Sequence, residues 1–375
     1  MIKREIQESI LKWLNRKEVI ILYGPRQSGK TTLIQMILND NPGALLLNCE
    51  RPDLADILAS KNLSSLKLIF GNKKIIVLDE AQKIQNIGSV LKLIYDDPTL
   101  DYKLIATGSS SFTLADKIIE PLTGRNVKFL LLPFSCSELS LDKGWLWVYE
   151  NISSLLIYGN YPGLIDETGE MKLKKLYELT SDYLFQDILA YENLKNSSLL
   201  RKLLKALALQ VGSQVSFNEL SKLLGVSSKT IAKYLDLLEK SFIVFSLPSF
   251  SRNHRTEIKK SRKYYFYDLG IRNAVIANFT DIGSRTDIGA MWENFCVVER
   301  LKYNLVHQPF ANLYFWRTYD GAEIDLVEEI NGNLNLFEFK WSNKTRAGFP
   351  KSFEEIYQIS SKNVITKQNI NDLIS

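Results

Sequence analysis

Apolar residues set two rhythms in the first third of the chain. Short runs at 19–24, 44–49, 75–80, 102–108 and 126–133 are almost continuously aliphatic or β-branched, as strands buried on both faces are. The segments between them carry helical spacing, for example Leu33, Ile34, Ile37 and Leu38. Strand alternating with helix predicts an α/β domain around a parallel sheet over residues 1–143. Over 144–194 the pattern turns helical and aromatic ("LLIYGNYPGLI", "KLYELTSDYLFQDILAY"), which predicts a helical lid packed on the first domain.

A third pattern fills 195–267. Phe217, Leu220, Leu223 and Leu224 form one face of a helix, Gly225 permits a tight turn, and Ser227 or Ser228 caps a second helix with Ile231, Leu235 and Leu238 as its buried stripe. Two strand-like runs, "FIVFSL" and "KYYFYD", then bracket the basic loop "SRNHRTEIKKSRK". Helix-turn-helix followed by a basic β-wing is a winged-helix arrangement. It predicts Ser228, Lys229 and Lys233 in a major groove, with Arg255, Lys259, Lys260 and Arg262 along phosphates. Packing or protein contact is the other use of such a fold.

The last region, 268–375, contains a hairpin signature. Asn331-Gly332 predicts a two-residue type I′ turn, so opposed residues sum to 663 and Asp325 faces Glu338 while Glu323 faces Lys340. Alternation sends Ile324, Leu326, Phe337, Phe339 and Trp341 to the buried face and the four charged residues to a wet one. Two opposed carboxylates repel unless a cation lies between them. Mg²⁺ or Mn²⁺ held by Asp325 and Glu338, with Lys340 beside them and Glu293 from an upstream helix, is one expectation. A solvent-exposed strand face with a Glu323–Lys340 pair is the other.

Composition narrows the class. The chain has 375 residues, 45% hydrophobic and 24% charged, which suits a soluble protein of two or three domains. Three widely spaced cysteines and two histidines provide neither a disulfide framework nor a zinc cluster. A charged, amphipathic start and the lack of any long apolar run predict a cytoplasmic protein without a membrane partner. The net charge of +5 is uneven: Lys195–Lys263 carries 14 Lys/Arg against 4 Asp/Glu, the footprint of a polyanion such as DNA.

The sharpest motif follows the first strand. Gly24-Pro25-Arg26-Gln27-Ser28-Gly29-Lys30-Thr31 fits GxxxxGK[ST], with Thr32 next in the binding segment; in this pattern loop N–H groups wrap a phosphate and glycine permits close approach. Lys30 is expected to reach the β- and γ-phosphates of ATP, and Thr31 to hold Mg²⁺. "KKIIVLDEAQ" ends a strand in Asp79, suited to the Mg²⁺ shell, and Glu80, suited to polarising the attacking water. Thr107 and Ser109 lie at the carboxyl end of a further strand, where one of them would sense the γ-phosphate.

This order of strands and motifs resembles the AAA-type and STAND-type ATPases. The series Walker A, "VLDEAQ", "TGSSS", "LTGR", winged helix and "WENF…WRTYDGAEIDLV…FEFKWS" resembles a prokaryotic AAA-type family with a C-terminal domain of unknown function, related to the archaeal ATPase superfamily. Glu293, Asp325, Glu338 and Lys340 look like the PD-(D/E)xK nuclease constellation, implying a restriction-endonuclease-like C-terminal fold. The resemblance implies an Mg²⁺-dependent ATPase working as a homo-oligomer, with Arg125 as an arginine finger for the neighbouring subunit. It also implies ATP turnover coupled to DNA binding or remodelling. The alternative is a nucleotide-gated DNA-binding regulator or protein-recruiting switch. Arg272, in "YDLGIRNAV", falls in a segment the family shares.

Overall fold

The computed structural model describes residues 1–109, 122–180, 197–251, 262–308, 310–318, 320–342 and 348–374. Residues 3–133 with 240–242 make one compact unit, and residues 134–239 with 243–375 make a second. Strands are numbered in chain order.

The first unit is built on five parallel strands: β1 (Val19–Tyr23), β2 (Ala44–Asn48), β3 (Ile75–Asp79), β4 (Lys103–Gly108) and β5 (Asn126–Leu130). Their spatial order is β2-β3-β4-β1-β5, so β4 lies between the strands that carry the two phosphate motifs. Each expected apolar run became a strand. The central strands β1, β3 and β4 are buried almost throughout because helices cover both faces of a parallel sheet. Ile76, Leu78, Leu91, Ile94 and Phe70 belong to one apolar cluster on the sheet. Parallel pairing sends every strand's carboxyl end to the same edge, where the polar residues collect.

The second unit begins ten residues before the expected boundary at 143. Helix Cys136–Lys143 starts with a capping box of Ser135 and Glu138, and the Cys136 N–H donates to Glu299 at 2.6 Å. Helices Trp145–Tyr158 and Gly169–Glu178, expected as a lid on the first domain, also fall in the second unit. Asn273 ties the former down by donating to the carbonyls of Leu156 and Ile157.

Helices Ser197–Leu209, Phe217–Leu224 and Ser228–Lys240 accompany a small antiparallel sheet, β6 (Gln214–Val215), β8 (Arg262–Phe266) and β7 (Val244–Pro248), in that spatial order. Ile231, Leu235 and Leu238 are buried as expected, and Gly225 takes the left-handed conformation that ends the preceding helix. Leu223 is a correction: 68% exposed, it lies off the buried face that Leu220 occupies. The last sheet has the order β12-β11-β10-β9, from β9 (Asn312–Arg317), β10 (Glu323–Ile330), β11 (Asn333–Phe339) and β12 (Ile359–Ile365).

Candidate nucleotide site and the carboxylate hairpin

The phosphate loop leaves β1 at Gly24, whose φ is +150° and whose absent Cβ would stand 2.1 Å from the Leu131 carbonyl oxygen. Any side chain there would collide with backbone, so only glycine fits. Gly29, at φ +95°, turns the chain into helix Lys30–Asn39. Pro25 is buried, Arg26 half-buried, and Gln27, Thr31 and Thr32 are exposed at the loop and helix start. The Lys30 ammonium is buried and donates to the carbonyls of Gly24 (3.0 Å) and Pro25 (2.8 Å), poised across the loop. The Ser28 hydroxyl is buried with no hydrogen-bond partner among the described residues.

Asp79 and Glu80 leave β3 beside this loop. The Thr31 hydroxyl donates to Asp79 at 3.1 Å, which joins the two expected Mg²⁺ ligands. Thr107 is fully buried; its hydroxyl donates to the other Asp79 oxygen and accepts the Glu80 N–H at 3.2 Å. Glu80 itself is left-handed, with φ 55° and ψ 41°. A hydroxyl and a carboxylate side by side are hard oxygen donors, the set that suits Mg²⁺. Thr31, Asp79, Glu80, Thr107, Lys30 and Ser109 thus converge at one edge of the sheet.

Arg125 stands elsewhere. Its backbone carbonyl accepts from the Val19 N–H, at the opposite end of β1 from Gly24, and its guanidinium donates to Asp96 at 2.9 Å. The trans role expected of it requires a second copy of the chain.

Two polar partners escaped the sequence reading. Gln82 donates its amide to Glu80 and to Ser109 (3.2 Å). Arg4 is buried and forks onto the carbonyls of Ser28 (2.8 Å) and Leu132 (2.5 Å). Gln82 stood in the quoted "DEAQ", two residues from Glu80. Arg4, 24 residues from its partner Ser28, carried no signal.

The hairpin in the second unit kept its register and lost its wet face. Asn331 and Gly332 both have positive φ, and the ladder runs from Ile330↔Asn333 to Leu326↔Phe337, each pair summing to 663. Beyond Leu326 the Asp325 carboxylate accepts the Phe339 N–H at 2.8 Å. A bulge between Ile324 and Val327 on the β9 side breaks the alternation. Ile324 and Val327 therefore share one apolar cluster with Leu334, Leu336 and Phe353. The other side is covered by helix Ile288–His307, whose Arg300 grips Glu328 through both oxygens and stacks on Phe337. Asp325 and Glu338 are buried, not wet.

The expected Glu323–Lys340 pair is also corrected. Glu323 pairs with Lys263 at 2.5 Å, and Lys340 pairs with Glu338 on its own strand. Lys263 is 1% exposed and also holds Glu293 at 2.8 Å, which accepts the Tyr265 hydroxyl at 2.6 Å. Burial pulls the Lys263 ammonium down, but Glu293 and Glu323 outweigh it and hold it above the ordinary lysine range. Burial, then repulsion from Glu293 and Glu338, pushes the Asp325 carboxyl up to about 8. Glu293 and Glu338 each act electrostatically on both Asp325 and Lys340. Yet among the described residues no three His, Cys, Asp or Glu side chains are arranged to hold a metal ion. Lys263 pairs with Glu293 and Glu323, and Lys340 with Glu338.

Of the expected DNA contacts, Lys229, Lys233 and Arg262 are exposed and Ser228 is half-buried, donating to Asn218 at 2.8 Å. Arg255, Lys259 and Lys260 lie outside the described residues. Lys263, counted in the basic segment, faces inward. Arg272 is buried, donating to the Ala208 carbonyl and paired with Asp287 at 2.6 Å. Among the described residues no helix is long and apolar enough to cross a membrane.

A parallel five-stranded sheet with a phosphate loop after β1 and acidic residues after β3 defines the P-loop ATPase fold of the AAA type. The chain contains an AAA domain and a C-terminal domain of unknown function. Residues 16–140 match the family model of an AAA domain, and 149–282 and 288–374 match two domains of unknown function (DUF8612 and DUF4143). An uncharacterised protein of Mycobacterium tuberculosis is 28% identical over 343 residues, covering 90% of this chain and 74% of its own. One of Methanocaldococcus jannaschii is 27% identical over 351 residues, covering 81% and 74%. Among solved structures, the Walker-type ATPase of Pyrococcus abyssi is similar with a TM-score of 0.51 at 18% identity, over 74% of this chain and 96% of that one. That likeness concerns fold alone.

Proposed function

We propose that the protein binds ATP with Mg²⁺ and hydrolyses it. The convergence of Lys30, Thr31, Asp79 and Glu80 at one sheet edge, with Thr31 already bonded to Asp79, carries this reading. Lys30 neutralises the terminal phosphates, and the loop N–H groups hold them. Mg²⁺, on Thr31 and Asp79, would offset charge on the phosphate oxygens. Glu80 orients the attacking water and receives its proton. Lys30→Ala should weaken nucleotide binding by at least about 100-fold, and Glu80→Gln should keep binding while losing about 1,000-fold in kcat. Fluorescent-nucleotide titration and phosphate release read the two arms. Normal turnover in Glu80→Gln would remove Glu80 from the role.

A DNA partner is the second part of the proposal, supported by the exposed Lys229 and Lys233 on helix Ser228–Lys240. Their contacts would be to phosphate, so affinity should fall steeply with salt. Lys229→Glu with Lys233→Glu should weaken duplex binding by about tenfold or more at every sequence and flatten the salt slope. Unchanged affinity in a salt titration would place any DNA contact elsewhere.

A further inference from the structure

After β3 the chain turns sharply: Glu80 is left-handed, and a single 3₁₀ turn, Ala81–Lys83, follows. That turn folds Gln82 back on the carboxylate two residues before it. One Gln82 amide nitrogen donates both to the Glu80 carboxylate and to the Ser109 hydroxyl, at 3.2 Å, beyond the end of β4. The orientation is forced, since an ionised carboxylate only accepts and the amide oxygen would repel it. Both donor hydrogens are used. The Gln82 carbonyl oxygen is buried and has no partner among the described residues.

We infer that Gln82 is a positioning residue for ATP hydrolysis: its amide, anchored on Ser109, fixes the Glu80 carboxylate that receives one hydrogen of the attacking water. The inference rests on the ATPase reading above. The attacking water gives one hydrogen to Glu80 and keeps both lone pairs, one of them facing the γ-phosphorus. The water oxygen then bonds to the γ-phosphorus. The bond from that phosphorus to the β,γ-bridging oxygen breaks, its electron pair leaving with ADP, and one water proton passes to Glu80. Ser109, holding the second amide hydrogen, links this pair to the strand end expected to face the γ-phosphate. Asp79 and Thr107 form a parallel lacing one step away, so the two strand ends are tied twice. One tie serves the cation and the other serves the water.

The test uses the full chain with Mg²⁺ and ATP. Gln82→Met keeps the side-chain length and removes the hydrogen bonds. It should lower kcat by about 10- to 100-fold with ATP affinity within about twofold and an unchanged melting midpoint. Gln82→Glu should be worse at pH 8 and recover in part toward pH 6, because the introduced carboxylate repels Glu80 when ionised and can donate to it when protonated. Packing alone would not produce that pH profile. Ser109→Ala reads the same link without touching Gln82, with a kcat loss of a few-fold expected. Unchanged kcat in Gln82→Met, or loss of kcat, affinity and melting midpoint together across these variants, would overturn the assignment alone. A wild-type chain that binds ATP and never hydrolyses it would overturn both the assignment and the ATPase reading.

Discussion

Two strand-end clusters in this chain use the same ligand chemistry and resolve it in opposite ways. At the end of β3, Asp79 and Glu80 sit beside the exposed Thr31, and the bonds that hold Asp79 come from neutral hydroxyls. Hydroxyls orient a carboxylate without cancelling its charge, so the cluster stays able to take a cation. In the hairpin of β10 and β11, Glu293, Glu323 and Glu338 are met by the ammonium groups of Lys263 and Lys340. Burial there makes an uncompensated charge expensive, and the protein supplies its counter-ions from within. The two clusters differ in what meets their carboxylates: hydroxyls orient one and ammonium groups pair with the other.

The strongest way to break this contrast is to remove the internal cation. Lys263→Met should destabilise the second unit by about 3 kcal/mol, since it leaves the half-buried Glu293 and Glu323 without the ammonium they share. Thermal or urea unfolding of the full chain measures it. Neither Mg²⁺ nor Mn²⁺ should shift the wild-type transition of that unit. If either ion restored the Lys263→Met transition, the hairpin would be a metal centre with an ammonium standing in it, and the contrast would collapse.

A smaller effect sharpens it. The Asp325 carboxyl, held up to about 8 by burial and its acidic neighbours, stays protonated in the fold at pH values where the unfolded chain is ionised. The folded state then binds the extra proton, so this group's contribution to stability is present at low pH and is lost as pH rises toward 8. Asp325→Asn keeps an acceptor for the Phe339 N–H and cannot ionise. It should raise the melting midpoint by about 2–4 °C at pH 8 and leave it unchanged near pH 4. Equal shifts at both pH values would exclude titration as the cause.

How much of each cluster could be read in advance follows from where its parts lie in the chain. The nucleotide site was legible because the loop, Thr31 and the β3 carboxylates obey fixed local spacings, and parallel strands bring their ends to one edge. Gln82 was visible as a letter but not as a contact, since its direction depends on the left-handed turn at Glu80. The hairpin register was legible from Asn331-Gly332, down to the pairing of Val327 with Leu336. Its surroundings were not. A bulge re-aims Ile324, and the covering helix and Lys263 come from segments that no period-2 pattern can report.

Lys263 also bears on the order of assembly. Its partners Glu293 and Glu323 lie on a helix and a strand that follow it by 30 and 60 residues, so the cluster is complete only when β8, that helix and β10 have met. Before then each charge keeps its water and loses nothing; the cost of shedding that water falls on the final docking of the three segments. Interactions made so late slow unfolding far more than they speed folding. If the cluster closes that late, the loss in Lys263→Met should be read in a faster unfolding limb with the folding limb nearly unmoved.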